Sequence, residues 1–102
     1  MEKEAPPLES TGKSGEYLEV RAPMSGVFYR RPSPEDSPYV EVGDLVKKKQ
    51  VLALLETMKV FQPVKSPAAG KILKIAAENE TPLKDQDLMF IIEKVNEHLG
   101  KA

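Results

Sequence analysis

At 102 residues, 40% of them hydrophobic and 30% charged, the chain has room for one small globular domain and little else. Lys and Arg number 15 against 16 Asp and Glu, a formal net charge of -1; this argues against nucleic acid or an anionic membrane as main partner, since both call for a basic face. The lack of cysteine excludes disulfides, thiolate zinc sites and a cysteine nucleophile, and a single histidine, His98, excludes a multi-His metal site or a His-based triad.

In chain order, nothing near Met1 reads as a signal peptide, and no apolar run approaches the roughly 18 residues that span a bilayer. Residues 1–15 are polar, carry Pro6-Pro7 and hold almost nothing to bury, so they read as a disordered tail or the remnant of a linker. From Tyr17 the sequence changes to short apolar runs broken by Gly, Pro, Asn and Asp, the pattern of short β-strands. The clearest runs are residues 51–55, 60–64, 71–75 and 88–92. No long segment holds a helical period, and residues 95–102 read as a tail or a short helical turn.

An internal repeat organises these runs. Val20-Arg21-Ala22-Pro23-Met24-Ser25-Gly26 matches Val64-Lys65-Ser66-Pro67-Ala68-Ala69-Gly70, an offset of 64 − 20 = 44. Glu41-Val42-Gly43-Asp44-Leu45-Val46-Lys47 matches Glu78-Asn79-Glu80-Thr81-Pro82-Leu83-Lys84, an offset of 78 − 41 = 37, and this register continues with residues 51–56 against 88–93. Each half is too small to bury its own apolar face, so the pattern predicts a pseudo-two-fold, all-β domain over residues 16–94. The offset falls by 44 − 37 = 7, so the first half carries seven extra residues between Gly26 and Glu41. Residues 30–38 are the candidate insert, because three prolines and four charges cannot form a central strand. In the second half Glu80 stands where Gly43 is in the first, and Asn79 is expected to take any positive φ there.

The halves join at Glu56-Thr57-Met58-Lys59-Val60, which places a hairpin tip at Met58-Lys59. Tight two-residue turns favour Asn-Gly or Asp-Gly, so Met-Lys breaks the local rule where a lysine is most exposed. Taken alone, this reads as a solvated turn lysine beside a Met that covers the end of the core, because exposed lysines are common.

The same five residues resemble the biotin-attachment motif, most often Glu-Ala-Met-Lys-Met, of biotin carboxyl carrier domains. Gly26 before the motif, Gly43 between, and Pro67 and Gly70 after it lie as in that family, with the three glycines as structural turns. The segment Phe28-Tyr29-Arg30-Arg31-Pro32-Ser33-Pro34, leading into Tyr39-Val40-Glu41-Val42-Gly43, resembles the "thumb" of acetyl-CoA carboxylase carriers. The resemblance implies a flattened barrel, or barrel-sandwich hybrid, of two four-stranded antiparallel sheets with a protruding thumb. It also implies biotin joined covalently to Lys59 by a biotin protein ligase that reads Glu56, Thr57, Met58 and Val60.

On this resemblance the domain is a non-catalytic carrier. Biotin would shuttle a carboxyl group from a biotin carboxylase to a carboxyltransferase to make malonyl-CoA for fatty acid synthesis, in a bacterial cytoplasm or a plastid stroma. Met58 favours biotin over lipoate, because lipoyl domains typically carry Asp before the lysine; Thr57 and Val60 are departures from the biotin pattern. Phe61 stands where relatives often have Met, a conservative core change, and Arg31 where bacterial relatives often have Thr. The alternatives are a lipoyl carrier of a 2-oxoacid dehydrogenase complex, a carrier of another biotin-dependent carboxylase, and an unmodified adaptor barrel. Glu56 and Lys59 as an acid–base pair would lack a nucleophile and a pocket.

Overall fold

The computed structural model describes residues 16–95; the tails at 1–15 and 96–102 lie outside them, so the readings made there are not addressed. Short β-branched and aliphatic runs between turns form eight strands and, among the described residues, no helix. They are β1 (Tyr17–Arg21), β2 (Gly26–Tyr29), β3 (Leu45–Val46), β4 (Val51–Thr57), β5 (Val60–Lys65), β6 (Gly70–Ile75), β7 (Thr81–Leu83) and β8 (Leu88–Lys94). All pairings are antiparallel.

The strands make two sheets, in the orders β1-β8-β6-β3 and β5-β4-β2-β7. Exchanging each strand for the one four places away in sequence turns the first order into the second, so the repeat is expressed as a pseudo-two-fold axis between the sheets. The sheets are not closed into one barrel; they pack face to face as a sandwich.

Loop hydrogen bonds obey the same axis. The Gly43 N–H donates to the Ile72 carbonyl (2.8 Å) and the Glu80 N–H to the Phe28 carbonyl (2.6 Å). Likewise the Lys49 N–H donates to Ser66 O and the Gln86 N–H to Ala22 O, both at 2.8 Å. The paired turns share a backbone too, with φ of 97° at Gly43 and 65° at Glu80, and of 74° at Lys49 and 77° at Gln86. The positive φ therefore falls on Glu80 and not on Asn79. The residue whose N–H must reach Phe28 O is the exact register partner of Gly43, and the hydrogen bond offsets the roughly 1–2 kcal/mol of left-handed strain.

Between the sheets lie Phe28, Leu52, Leu55, Ile72, Met89, Phe90 and Ile92, all fully buried. Phe28 and Phe90 meet at 5.9 Å between ring centroids, tilted by 56°, which joins the two sheets at the centre. Each such side chain contributes roughly 1.5–3 kcal/mol on burial.

Gly26 and Gly70 correct the reading of three glycines as turns. Each opens a strand, and what it provides is close approach: a Cβ on Gly26 would sit 2.8 Å from the Glu56 carbonyl oxygen, and one on Gly70 would collide with the Glu93 carbonyl and the Ile92 side chain. Only Gly43 occupies a turn with positive φ.

Candidate functional site

The β4–β5 hairpin turns on two residues, between the Thr57–Val60 pair. Met58 has φ 51° and Lys59 φ 65°, so both take the left-handed backbone of a type I′ turn, whose twist matches the flanking strands. Neither residue favours that conformation, which costs about 1–2 kcal/mol each. The turn puts Met58 89% in solvent, with Lys59 exposed beside it and Val60 54% exposed. Among the described residues the Lys59 amine forms no hydrogen bond or ion pair, leaving it open to an acylating partner.

Although its apex is free, the root of this turn is tied on two sides. The Thr57 hydroxyl donates to the Ser25 carbonyl oxygen at 2.6 Å, and Ser25 Oγ accepts from the Asp85 N–H at 3.2 Å. Tyr29 Oη donates to Glu56 Oε1 at 3.0 Å, and the Tyr29 ring packs on Phe61 with centroids 5.7 Å apart. Phe61, expected in the core, is instead 52% exposed. It pairs with Glu56 on the edge strand β5, where Val64 is the buried residue, so its ring lies on the outer face of the sheet.

The Tyr29 phenol is held above its ordinary pKa, first by donating its proton to Glu56, then by desolvation and by the charges of Glu56 and Glu80. A raised phenol pKa means that the folded chain binds this proton more tightly than the unfolded one. That contribution to stability is fully present below the ordinary phenol value of about 10 and is lost as pH rises through the folded value.

Residues 30–38 form the loop expected of them. Its root is clamped: the Tyr39 N–H donates to Arg30 O, the Arg30 guanidinium donates to Val40 O (2.9 Å) and to Glu41 Oε1 (3.0 Å), and the Arg30 N–H donates to Asn79 Oδ1 (2.8 Å). Asn79 thus serves through its side chain. At the tip the Ser33 hydroxyl donates to Asp36 Oδ2 (2.7 Å), and Arg31 reaches the carbonyls of Pro34 (3.3 Å) and Asp36 (3.4 Å). Arg31 is therefore engaged in the loop's own turn over residues 33–36. No hydrogen bond or ion pair joins Arg30, Arg31, Pro32, Ser33 or Pro34 to Met58 or Lys59.

The structure therefore brings Glu56, Thr57, Met58, Lys59 and Val60 together at one apex and sets the thumb to the side of it. Sequence reasoning had not picked out Tyr29, Ser25 or Asn79 as partners of the site. Tyr29 stood only within the thumb segment and Asn79 only as the expected positive-φ residue; Ser25 showed as a departure from Ala69 in the repeat, and its contact to Thr57 runs through a backbone oxygen that any residue would supply.

The family described as "Biotin-requiring enzyme" matches residues 18–92 of the chain. The biotin carboxyl carrier protein of acetyl-CoA carboxylase from Pseudomonas aeruginosa is 42% identical over 74 residues, covering 72% of this chain and 47% of that protein. The protein of the same name from Cyanidium caldarium is 41% identical over 76 residues, covering 74% and 50%. The chloroplastic biotin carboxyl carrier protein of acetyl-CoA carboxylase 1 from Arabidopsis thaliana is 38% identical over 74 residues, covering 72% and 26%. The chain thus spans between 26% and 50% of the length of these relatives. Among solved structures, a single-chain, multi-domain long-chain acyl-CoA carboxylase superposes with a TM-score of 0.67 at 15% identity, over 85% of this chain and 8% of that one. The Kluyveromyces lactis urea carboxylase does so with a TM-score of 0.66 at 22% identity, over 91% and 7%. These two likenesses concern the fold.

Proposed function

The chain belongs to the family of biotin-requiring enzymes, and from that premise we propose that it is the biotin carboxyl carrier domain of an acetyl-CoA carboxylase, with biotin attached at Lys59. The observation that carries this reading is the lysine at the apex of an Asp/Asn/Gly-free type I′ turn, its amine unpartnered, inside Glu56-Thr57-Met58-Lys59-Val60. These residues fit the group: a biotin protein ligase needs an accessible primary amine, and the turn offers one with nothing to displace.

Acylation of Lys59 by biotinyl-adenylate joins the ε-nitrogen to the biotin carbonyl, releases AMP and gives up the amine's proton, so the site becomes an uncharged amide. When attached, biotin supplies the ring that takes up a carboxyl group at a biotin carboxylase and gives it to acetyl-CoA at a carboxyltransferase. The protein's own work is placement. Thr57 and Glu56 hold the base of the hairpin, the strained turn projects Lys59, and Met58 and Val60 present apolar surface beside it for the ligase to read. A carrier tethered near two catalytic sites works at roughly millimolar effective concentration, which explains why such a domain needs no catalytic residues. Names shared with bacterial and plastid relatives support a bacterial cytoplasm or a plastid stroma as its setting.

Incubating the 102-residue chain with a biotin protein ligase, ATP and biotin is expected to add the mass of one biotin. A folded chain that stays unmodified would turn the reading toward a lipoyl carrier or an unmodified adaptor.

Met58 is expected to set the choice of cofactor. Met58→Asp leaves Glu-Thr-Asp-Lys-Val, and Asp accepts the left-handed φ of 51° at this position more readily than Met. The variant should fold, lose biotinylation and gain lipoylation when both ligases are supplied with their cofactors. Unchanged preference for biotin would show that specificity lies elsewhere on the hairpin.

A further inference from the structure

The hydrogen bond from Tyr29 to Glu56 is a place where the pseudo-two-fold is broken. Under the axis the counterpart of Glu56 is Glu93; that of Tyr29 is Leu73 by sequence offset, 73 − 29 = 44, but the register slips between Ile72 and Lys74, so Lys74 faces Ile91 as Tyr29 faces Leu54. Leu73 has no hydroxyl to offer, Lys74 makes no ion pair with Glu93, and Glu93, 4% exposed, keeps one carboxylate oxygen, Oε2, without a partner. The first half therefore carries a tethered carboxylate and the second half does not. The tether lies beside the lysine-bearing turn, and the sheet has no need of it for its own pairing.

Local geometry gives Tyr29 two duties. It ends β2 opposite Leu54, two residues along β4 from Glu56, and its side chain reaches along the outer face to the carboxylate. Its ring also rests on Phe61, the strand partner of Glu56, so the phenol and the carboxylate share one small cluster. The next residue, Arg30, begins the thumb and is pinned to Asn79 through its backbone N–H. Tyr29 thus stands at the junction of the thumb and the attachment hairpin.

We propose that Tyr29 is a positioning residue for the attachment site, holding the Glu56 carboxylate in one place beside the Lys59 turn so that the biotin protein ligase meets a preformed recognition surface. The inference rests on the carrier reading and adds a residue to it. A freely rotating Glu56 would have to be ordered when the ligase binds, whereas a tethered one is ordered beforehand, so the gain falls on binding.

The test compares the 102-residue wild type with Tyr29→Phe, Glu56→Gln and the double variant, using initial rates of ligase-catalysed biotin addition read by intact mass. Tyr29→Phe keeps the ring on Phe61 and removes only the hydroxyl, and thermal melts report whether each variant is folded. For Tyr29→Phe, KM is expected to rise about three- to tenfold with kcat nearly unchanged, the signature of lost uniform binding. In the Glu56→Gln background the same change should add less than about a twofold effect, because its partner is already altered. A near-ultraviolet titration supplies a second readout: Glu56→Gln should lower the midpoint at which Tyr29 ionises. Tyr29→Phe kinetics equal to wild type, or losses that multiply in the double variant, would overturn the proposal. A wild type that takes up no biotin would sink the carrier reading itself, a result distinct from a wild type modified no faster than Tyr29→Phe.

Discussion

Replacing Lys59 by Arg is expected to leave the domain folded and to abolish its biotin adduct completely. The two halves of that expectation have separate causes. Lys59 makes no hydrogen bond or ion pair among the described residues, so its replacement should change stability by less than about 0.5 kcal/mol. Arg keeps the length and charge of the side chain but stays protonated at any practical pH, and its guanidinium is not an acyl acceptor. The backbone strain at φ 65° is common to both residues, so the turn itself is not relieved or worsened. Intact mass after ligase treatment, with a thermal melt of the same sample, checks both halves. An adduct that survives in Lys59→Arg would assign biotin to another lysine, and the hairpin would lose its role.

The largest expected loss of stability comes from a residue far from this turn. Gly70→Ala should destabilise the domain by about 3 kcal/mol, a fall in Tm of roughly 12–24 °C for a domain of this size. Its Cβ would meet the Glu93 carbonyl oxygen and the Ile92 side chain, atoms of the strand with which β6 pairs, and neither can withdraw without parting β6 from β8. The counterpart Gly26→Ala meets the Glu56 carbonyl at 2.8 Å and the Thr57 hydroxyl at 2.9 Å, a milder clash because a side-chain oxygen shares it. Gly43→Ala meets nothing within 4 Å and carries only the strain of φ 97°, about 1 kcal/mol. The expected ranking by thermal melt is therefore Gly70, then Gly26, then Gly43. A Gly43 variant as damaged as the Gly70 variant would refute the close-approach explanation.

Much of this was legible in the sequence because the repeat is a strong constraint. Once Gly26 aligns with Gly70 and Glu56 with Glu93, a pseudo-two-fold all-β domain, the central hairpin and the odd loop at residues 30–38 follow from one symmetry, while the two four-stranded sheets rested on the family resemblance. Where the reading failed, it had applied residue preference against register. Asn tolerates positive φ better than Glu, yet Glu80 takes it, because the hydrogen bond to Phe28 belongs to that position whatever residue fills it. Phe61 was placed in the core as an apolar replacement for the Met that relatives often have, but on β5 it shares the outward row with Glu56. The Tyr29–Glu56 contact was out of reach for a different reason. It joins residues 27 apart through a side chain that crosses the face of a sheet, and no spacing in the chain marks such a pair.

The break in the symmetry also distinguishes the two ends of the body. Ser25, between β1 and β2, lies against Thr57 at the base of the hairpin, so β1 runs toward that apex from the opposite end of the body. There Tyr17 pairs with Glu93, and the Lys94 N–H donates to Glu16 O, which is the arrangement of Phe61 and Glu56 repeated without a connecting turn. Of the two apices that the axis would create, one is closed by Met58-Lys59 and the other is where the chain passes in and out. Two identical four-stranded halves assembled as separate chains would have no such distinction. Joined in one chain, they have one apex closed by a turn, so among the described residues the strained two-residue loop that carries Lys59 has no counterpart at the other end.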